Sequence, residues 1–209
     1  MIEPPGFAGV VFGDAADGDP RADPLARSRF EELIGPGFAW SWANQVHGNT
    51  VLAVDRPGPA GDADGLFTDR SRLALAVATA DCVPVIIEGE RTNAVVHAGW
   101  RGMAKGVVAT GMAAMVDDGD RPLRAAIGPS IGPCCYEIGP EVAEALAPFT
   151  DVTTWGTTSV NLWAAAEAQL EGLEVWRADL CTFTDHRFRS HRRDGTAERQ
   201  VSVAWHQTG

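Results

Sequence analysis

Three short segments carry residues suited to holding a metal ion: NQVHG with His47, TADC with Cys82 and HAGWRG with His97. Two imidazoles and a thiolate make a zinc-type donor set. Three protein ligands leave the fourth tetrahedral position to water or substrate, the open arrangement of catalytic sites. The separations are 35 residues from His47 to Cys82 and 15 from Cys82 to His97, so only the fold can assemble them. Two other readings stand on the same residues. In one, the histidines are ordinary hydrogen-bonded side chains and Cys82 is a small buried hydrophobe. In the other, Cys82 is a thiolate nucleophile with His97 or His47 as its base. Gly48, Gly99 and Gly102 lie beside these residues, where missing side chains permit close approach of backbone to a ligand.

Further chemistry is grouped around them. Gly99 to Gly102 should turn a strand into a helix, whose N-terminal N–H groups together with the Arg101 fork would form an anion site with phosphate as the natural guest. The plainer alternative is a glycine-rich turn carrying a surface arginine. In GPSIGPCCYEIG, residues 128–139, Pro129 and Pro133 restrict a loop that displays Cys134, Cys135, Tyr136 and Glu137. Adjacent cysteines seldom bond to one another, so thiols packed beneath the loop are expected. Glu137 is either a proton carrier or a solvated turn residue. RSHRRDG, residues 189–195, is either a solvated turn or a second electrostatic clamp, and Asp81 either orients a ligand or caps a turn.

The elements that must position these groups follow from periodicity. TVLAVD, LALAVAT, VPVIIE and NAVVHA are short β-branched runs between Gly, Pro, Asp or Asn, and several are apolar on both faces, which predicts a sheet buried on both sides. Ala104, Val107, Val108, Gly111, Met112 and Met115 fall on one helical stripe that stops near Asp118-Gly119. LRAAIG, LEVWRAD and RQVSVAWH read as strands. Helices are expected over Leu25–Leu33, after Pro140, and from the Asn161 cap to Gly172. Strands and helices mix without strict βαβ alternation, which predicts an α+β (mixed α/β) fold of mixed β-sheets flanked by helices. With no linker or repeat, residues 1–209 are expected to form a single domain, with Gly13 to Pro24 as a surface loop.

Composition limits the partners. The 209-residue chain has 17 Lys+Arg against 28 Asp+Glu, a formal net charge of −11, so a phosphate-tracking nucleic-acid groove is not expected. No apolar run approaches the roughly 20 residues that span a bilayer, and the first residues lack a basic region followed by an apolar one. A soluble cytoplasmic protein is the expectation. Four spread or adjacent cysteines make no secreted disulfide framework.

Taken in order, NQVHG, Ala63-Asp64-Gly65, TADC, HAGWRG, IGPCCYEIG, the Asn161-Leu162 helix start and RRDG resemble the YfiH family over roughly residues 38–205. These proteins have been described as polyphenol oxidases or laccases. The resemblance implies an α/β/β/α-like architecture and a zinc site at His47, Cys82 and His97, with copper less favoured. For activity it implies phosphorolysis of adenosine, inosine, guanosine and methylthioadenosine, and deamination of adenosine. Some members are described instead as editing a peptidoglycan precursor, which would suit a cysteine or zinc hydrolase; a non-catalytic zinc-stabilised binding module is the remaining class. The site expected is His47, Cys82, His97 and Arg101 for catalysis, with Gly99, Gly102, Cys135, Glu137 and Arg193 around a purine nucleoside and phosphate, in a monomer or homodimer. Two features depart from the family: Gly13 to Arg29 lacks its glycine-rich Ser-Leu-Asn type motif, and His191 replaces an aromatic residue before RRDG. Five histidines, three outside the triad, cannot furnish the copper clusters of a multicopper oxidase.

Overall fold

The computed structural model describes residues 1–35 and 37–206; the last three positions of the expected 1–209 domain lie outside the described residues. Two mixed sheets pack face to face. The first runs β1 (Val10–Phe12), β13 (Gln200–Ala204), β6 (Leu73–Thr79), β2 (Ala39–Asn44), β4 (Gly58–Asp62). The second runs β12 (Glu174–Arg177), β9 (Pro122–Ile127), β7 (Val83–Gly89), β8 (Asn93–Ala98), β5 (Gly65–Thr68), β3 (Val51–Ala53). A separate hairpin pairs β10 (Thr150–Val152) with β11 (Thr158–Val160).

Strand sequence explains the layering. Along β6, Leu73, Leu75 and Val77 face the second sheet, while Ala74, Ala76 and Ala78 face the helix α1 (Pro24–Ile34) and Trp40. Small residues on that face let α1 settle through Phe30 and Ile34. In β7 and β8, Ile86 and Val95 enter the core between the sheets. Val83, Val85, Ile87, Val96 and Ala98 face the other way, toward α2 (Trp100–Ala104), α3 (Val107–Asp117) and α5 (Leu162–Gln169). The layers are therefore helix, sheet, sheet, helices, as expected for a mixed α/β fold. α4 (Pro140–Ala145) and α6 (His191–Asp194) are short surface turns.

Several boundaries differ from the sequence reading. The helical stripe through Ala104 is interrupted: Gly106 adopts a left-handed conformation, φ 75°, separating α2 from α3, and Ala104 is exposed. β1, β2, β4, β5, β10 and β11 lie outside the runs that the sequence marks as strands; most are three to five residues long, too short to show a period. α1 begins where Asp23 accepts the Leu25 N–H. No helix among the described residues is long and apolar enough to cross a membrane.

Candidate metal centre

The triad assembles where the two sheets meet. β6 of the first sheet passes through Ala80-Asp81-Cys82 into β7 of the second, β8 carries His97, and the loop after β2 brings His47. Their ligand atoms all lie within 4.8 Å of one another, and His47 Nε2 stands 3.9 Å from Cys82 Sγ. A tetrahedral ion with metal–nitrogen and metal–sulfur bonds of zinc length would set that separation at about 3.6 Å, so the donor set and spacing suit such an ion with small adjustment. His47 is exposed, Cys82 half-buried and His97 buried, which leaves one flank open.

Asp64 organises the centre. It is fully buried and accepts hydrogen bonds from His97 Nδ1 (2.7 Å), Gly48 N (2.6 Å) and His47 N (3.0 Å). The bond to Nδ1 orients the imidazole and turns Nε2 toward the site, the carboxylate–histidine–metal arrangement. Burial opposes ionisation of Asp64, yet the His97 and Gly48 hydrogen bonds and the His97 charge hold its carboxyl below the usual value. In the metal-free site, burial also resists a charged Cys82, but the His97 charge and the bond to His47 draw its thiol down to about 6. The reverse holds for His97. Burial resists its protonation, while the Cys82 charge and the Asp64 bond lift it to about 9. The metal-free centre is thus a thiolate–imidazolium pair at neutral pH.

Backbone conformation is strained at two of these turns: His47 has φ 58° and Asp81 φ 89°. Asp81 is anchored by the Thr182 hydroxyl at 2.6 Å and the Arg192 N–H at 2.7 Å, which fixes the turn before Cys82. The neighbouring glycines serve packing. A Cβ on Gly99 would stand 2.9 Å from the His47 ring and 3.1 Å from Cys82 Sγ, and one on Gly102 would stand 2.7 Å from the Gly48 carbonyl oxygen. The expected anion site at a helix N-terminus is not realised in that form, because α2 has five residues before Gly106 ends its continuity with α3. So short a helix sums little dipole.

Two lobes open beside the triad, sharing His47, Ala80, Cys82 and His191. The larger, about 420 Å³, is lined by Arg21, Asn44, Gln45, Thr79 and Arg199. The smaller, about 160 Å³, is lined by Asp81, Trp100, Arg101, Tyr136, Leu162 and Arg192. Arg101 stacks over Trp100 at 4.3 Å and Arg192 over Tyr136 at 5.1 Å, and neither is ion-paired among the described residues. An acidic chain thus gathers four arginines around one cleft. Burial, with the nearby Cys82 charge, pushes the Tyr136 phenol up to about 12, so it remains a hydrogen-bond donor at neutral pH.

Gly99, Gly102, Cys135, Glu137 and Arg193, expected around the substrate, do not line either lobe. Cys135 is buried against Ile131 and Cys181. Glu137 accepts the Trp155 indole N–H. Arg193 donates to the Thr182, Phe183 and Phe188 carbonyls and pairs with Asp194. Adjacent residues of the α6 turn point about 100° apart, so Arg192 faces the cleft and Arg193 the loop behind it. Asp64 lay within a recognised Ala-Asp-Gly motif without an assigned role. Arg21, from the expected surface loop, and Arg199 had no local signal at all.

The family model described as multi-copper polyphenol oxidoreductase laccase matches residues 5–207. A protein of Mycobacterium tuberculosis named purine nucleoside phosphorylase is 39% identical, covering 98% of this chain and 87% of its own length. One of Streptomyces griseus with the same name is 38% identical over 95% of this chain and 87% of its own. Among solved structures, hypothetical protein YfiH of Bacillus licheniformis superposes with TM-score 0.79 at 26% identity, covering 90% of this chain and 82% of its own. YlmD of Geobacillus stearothermophilus gives TM-score 0.80 at 28% identity, with coverages of 97% and 89%. His186, His191 and His206 join no group of three metal ligands among the described residues, so the residues present do not fit a multicopper oxidase set.

Proposed function

The chain belongs to the multi-copper polyphenol oxidoreductase laccase family, and from that membership and the cleft we propose a zinc-dependent purine nucleoside phosphorylase that also deaminates adenosine. The observation that carries this reading is the His47–Cys82–His97 centre at the junction of two lobes, one of which presents two arginines without carboxylate partners. The names of the relatives supply the substrate class. Adenosine, inosine, guanosine and methylthioadenosine are the substrates proposed. The cytoplasm is the proposed compartment.

Size and charge support one assignment of the lobes. The larger falls within the range of small-molecule pockets and offers neutral amides and a hydroxyl from Asn44, Gln45 and Thr79 for a nucleoside. The smaller, about 160 Å³, is flanked by Arg101 and Arg192, which suits it to phosphate. Arg101 and Arg192 hold and orient the anion for attack at the ribose C1′, as the C1′–N9 bond breaks and a C1′–O bond to phosphate forms. The protonated Tyr136 donates toward the anion, and Asp81 keeps Arg192 and the Cys82 turn in register. A zinc ion held by His47, Cys82 and His97 would supply Lewis acidity to the purine, which leaves with the C1′–N9 electron pair and takes a proton from solvent, and to a water in deamination.

Adenosine incubated with and without phosphate, chelator and zinc, followed by chromatography, tests this. Adenine formed only with phosphate marks phosphorolysis; inosine formed without phosphate marks deamination. Absence of both from zinc-loaded protein overturns the reading.

The thiolate–imidazolium pair of the metal-free centre favours one other reading, a cysteine hydrolase acting on an amide such as that of a cell-wall precursor. Alkylation separates the two. Cys82 protected by zinc and exposed by chelator supports ligation, whereas equal alkylation in both states supports the nucleophile.

A further inference from the structure

Behind the smaller lobe lies a second group of soft ligands that the proposed reaction does not use. Cys134, Cys135 and Cys181 place their three Sγ atoms within 4.8 Å of one another, and none is in a disulfide. Cys135 and Cys181 are buried and Cys134 is half-buried. Two segments remote in sequence build the cluster. A parallel bridge joins Ser130 to Cys181, Thr182 N donates to the Ser130 carbonyl, and Gly132 N donates to Cys181 Sγ at 3.2 Å. Ile131, Trp163, Phe183 and Tyr136 pack around the thiols.

We propose that Cys134, Cys135 and Cys181 form a second, all-sulfur metal site that takes a soft monovalent ion of the copper(I) class. Thiolates favour soft ions, and the ligand number narrows the choice. Structural zinc sites close with four protein ligands, whereas no carboxylate or imidazole joins these three sulfurs among the described residues. Copper(I) accepts three thiolates without a fourth partner, and the apolar lining shields the ion from water. With bonds of about 2.3 Å, three sulfurs around a planar ion stand about 4 Å apart. Cys134 and Cys135 are 3.0 Å apart, so Cys134 must swing outward by about 1 Å, which rotation about χ1 of a half-buried side chain permits. Uptake replaces thiol protons by the metal and releases them to solvent, with no change of oxidation state. The Gly132 N–H offsets part of the charge left on sulfur. Ile131 and Tyr136 lie on the same loop and line the smaller lobe, so the ion would tie the lobe's back wall to the Cys181 segment.

The test is anaerobic titration of the full chain carrying Cys82→Ala, so that the first centre is broken, with copper(I) in competition with bicinchoninate. One equivalent is expected, and adding Cys134→Ser or Cys181→Ser should weaken it by at least about a hundredfold. X-ray absorption should show sulfur ligands alone. No uptake by the Cys82→Ala chain, uptake insensitive to Cys134→Ser, or nitrogen ligands at copper would each overturn the proposal. Cys134→Ser is the deciding variant should Cys181→Ser fail to fold, because Cys134 is only half-buried.

Discussion

Replacing Asp64 by Asn keeps the volume but removes the charge at the hub of the centre. Asp64 is 0% exposed and accepts bonds from His97 Nδ1 and from the Gly48 and His47 amides. An Asn oxygen can serve one side, but its NH₂ must then confront N–H donors on the other, leaving buried donors unpaired. Loss of a carboxylate that holds a metal-ligating histidine in place weakens metal binding by about 10–100-fold, or roughly 1.4–2.7 kcal/mol. Breaking a buried charged pair costs about 3 kcal/mol or more, which lowers the melting midpoint of a chain this size by roughly 6–12 °C. Zinc affinity by chelator competition and melting of the metal-free protein measure the two effects separately. An Asp64→Asn variant with wild-type zinc affinity and an unchanged metal-free midpoint would refute the role assigned to this carboxylate.

Gly99→Ala should weaken zinc binding at least about tenfold with a smaller change in melting, because the new Cβ presses on the exposed His47 ring and Cys82 rather than on the core; equal zinc affinity in chelator competition would count against it. Arg192→Ala should raise KM for phosphate about tenfold or more while leaving KM for nucleoside nearly unchanged, whereas Arg193→Ala should lower the melting midpoint because three carbonyls lose their donor; steady-state kinetics with phosphate varied decides between them. Asp120 is buried, and although burial raises its carboxyl, bonds from Thr92 and the Arg121 and Arg91 backbone hold it below the usual value of 3.8. Its contribution to stability is therefore present above the unfolded carboxylate value and disappears as pH falls through the lower folded one. In urea titrations, the wild-type advantage over Asp120→Asn should be full at neutral pH and shrink below about pH 4.

Local sequence was enough for much of the frame. The alternation of β6, large residues toward the other sheet and alanines toward α1, is written in LALAVAT and needs only the two-residue period of a strand. His47, Cys82 and His97 were legible because donor type marks each segment, with glycines beside the two histidines, and because the motifs follow one another in the order of a known family. Chain order and periodicity did not reveal which carboxylate would hold them. Asp64 earns its role from the antiparallel pairing of β5 with β8, which sets Gly65 beside Val96 and so brings Asp64 to His97. The same limit applies to charge. Arg21 and Arg199 reach one cleft from opposite ends of the chain, and the facing of Arg192 over Arg193 depends on Asp81 capturing the Arg192 N–H across 111 residues. Residue types and short-range periods reside in the chain itself, but convergence on a cavity depends on contacts between distant segments, whose direction only the packed sheets and turns decide.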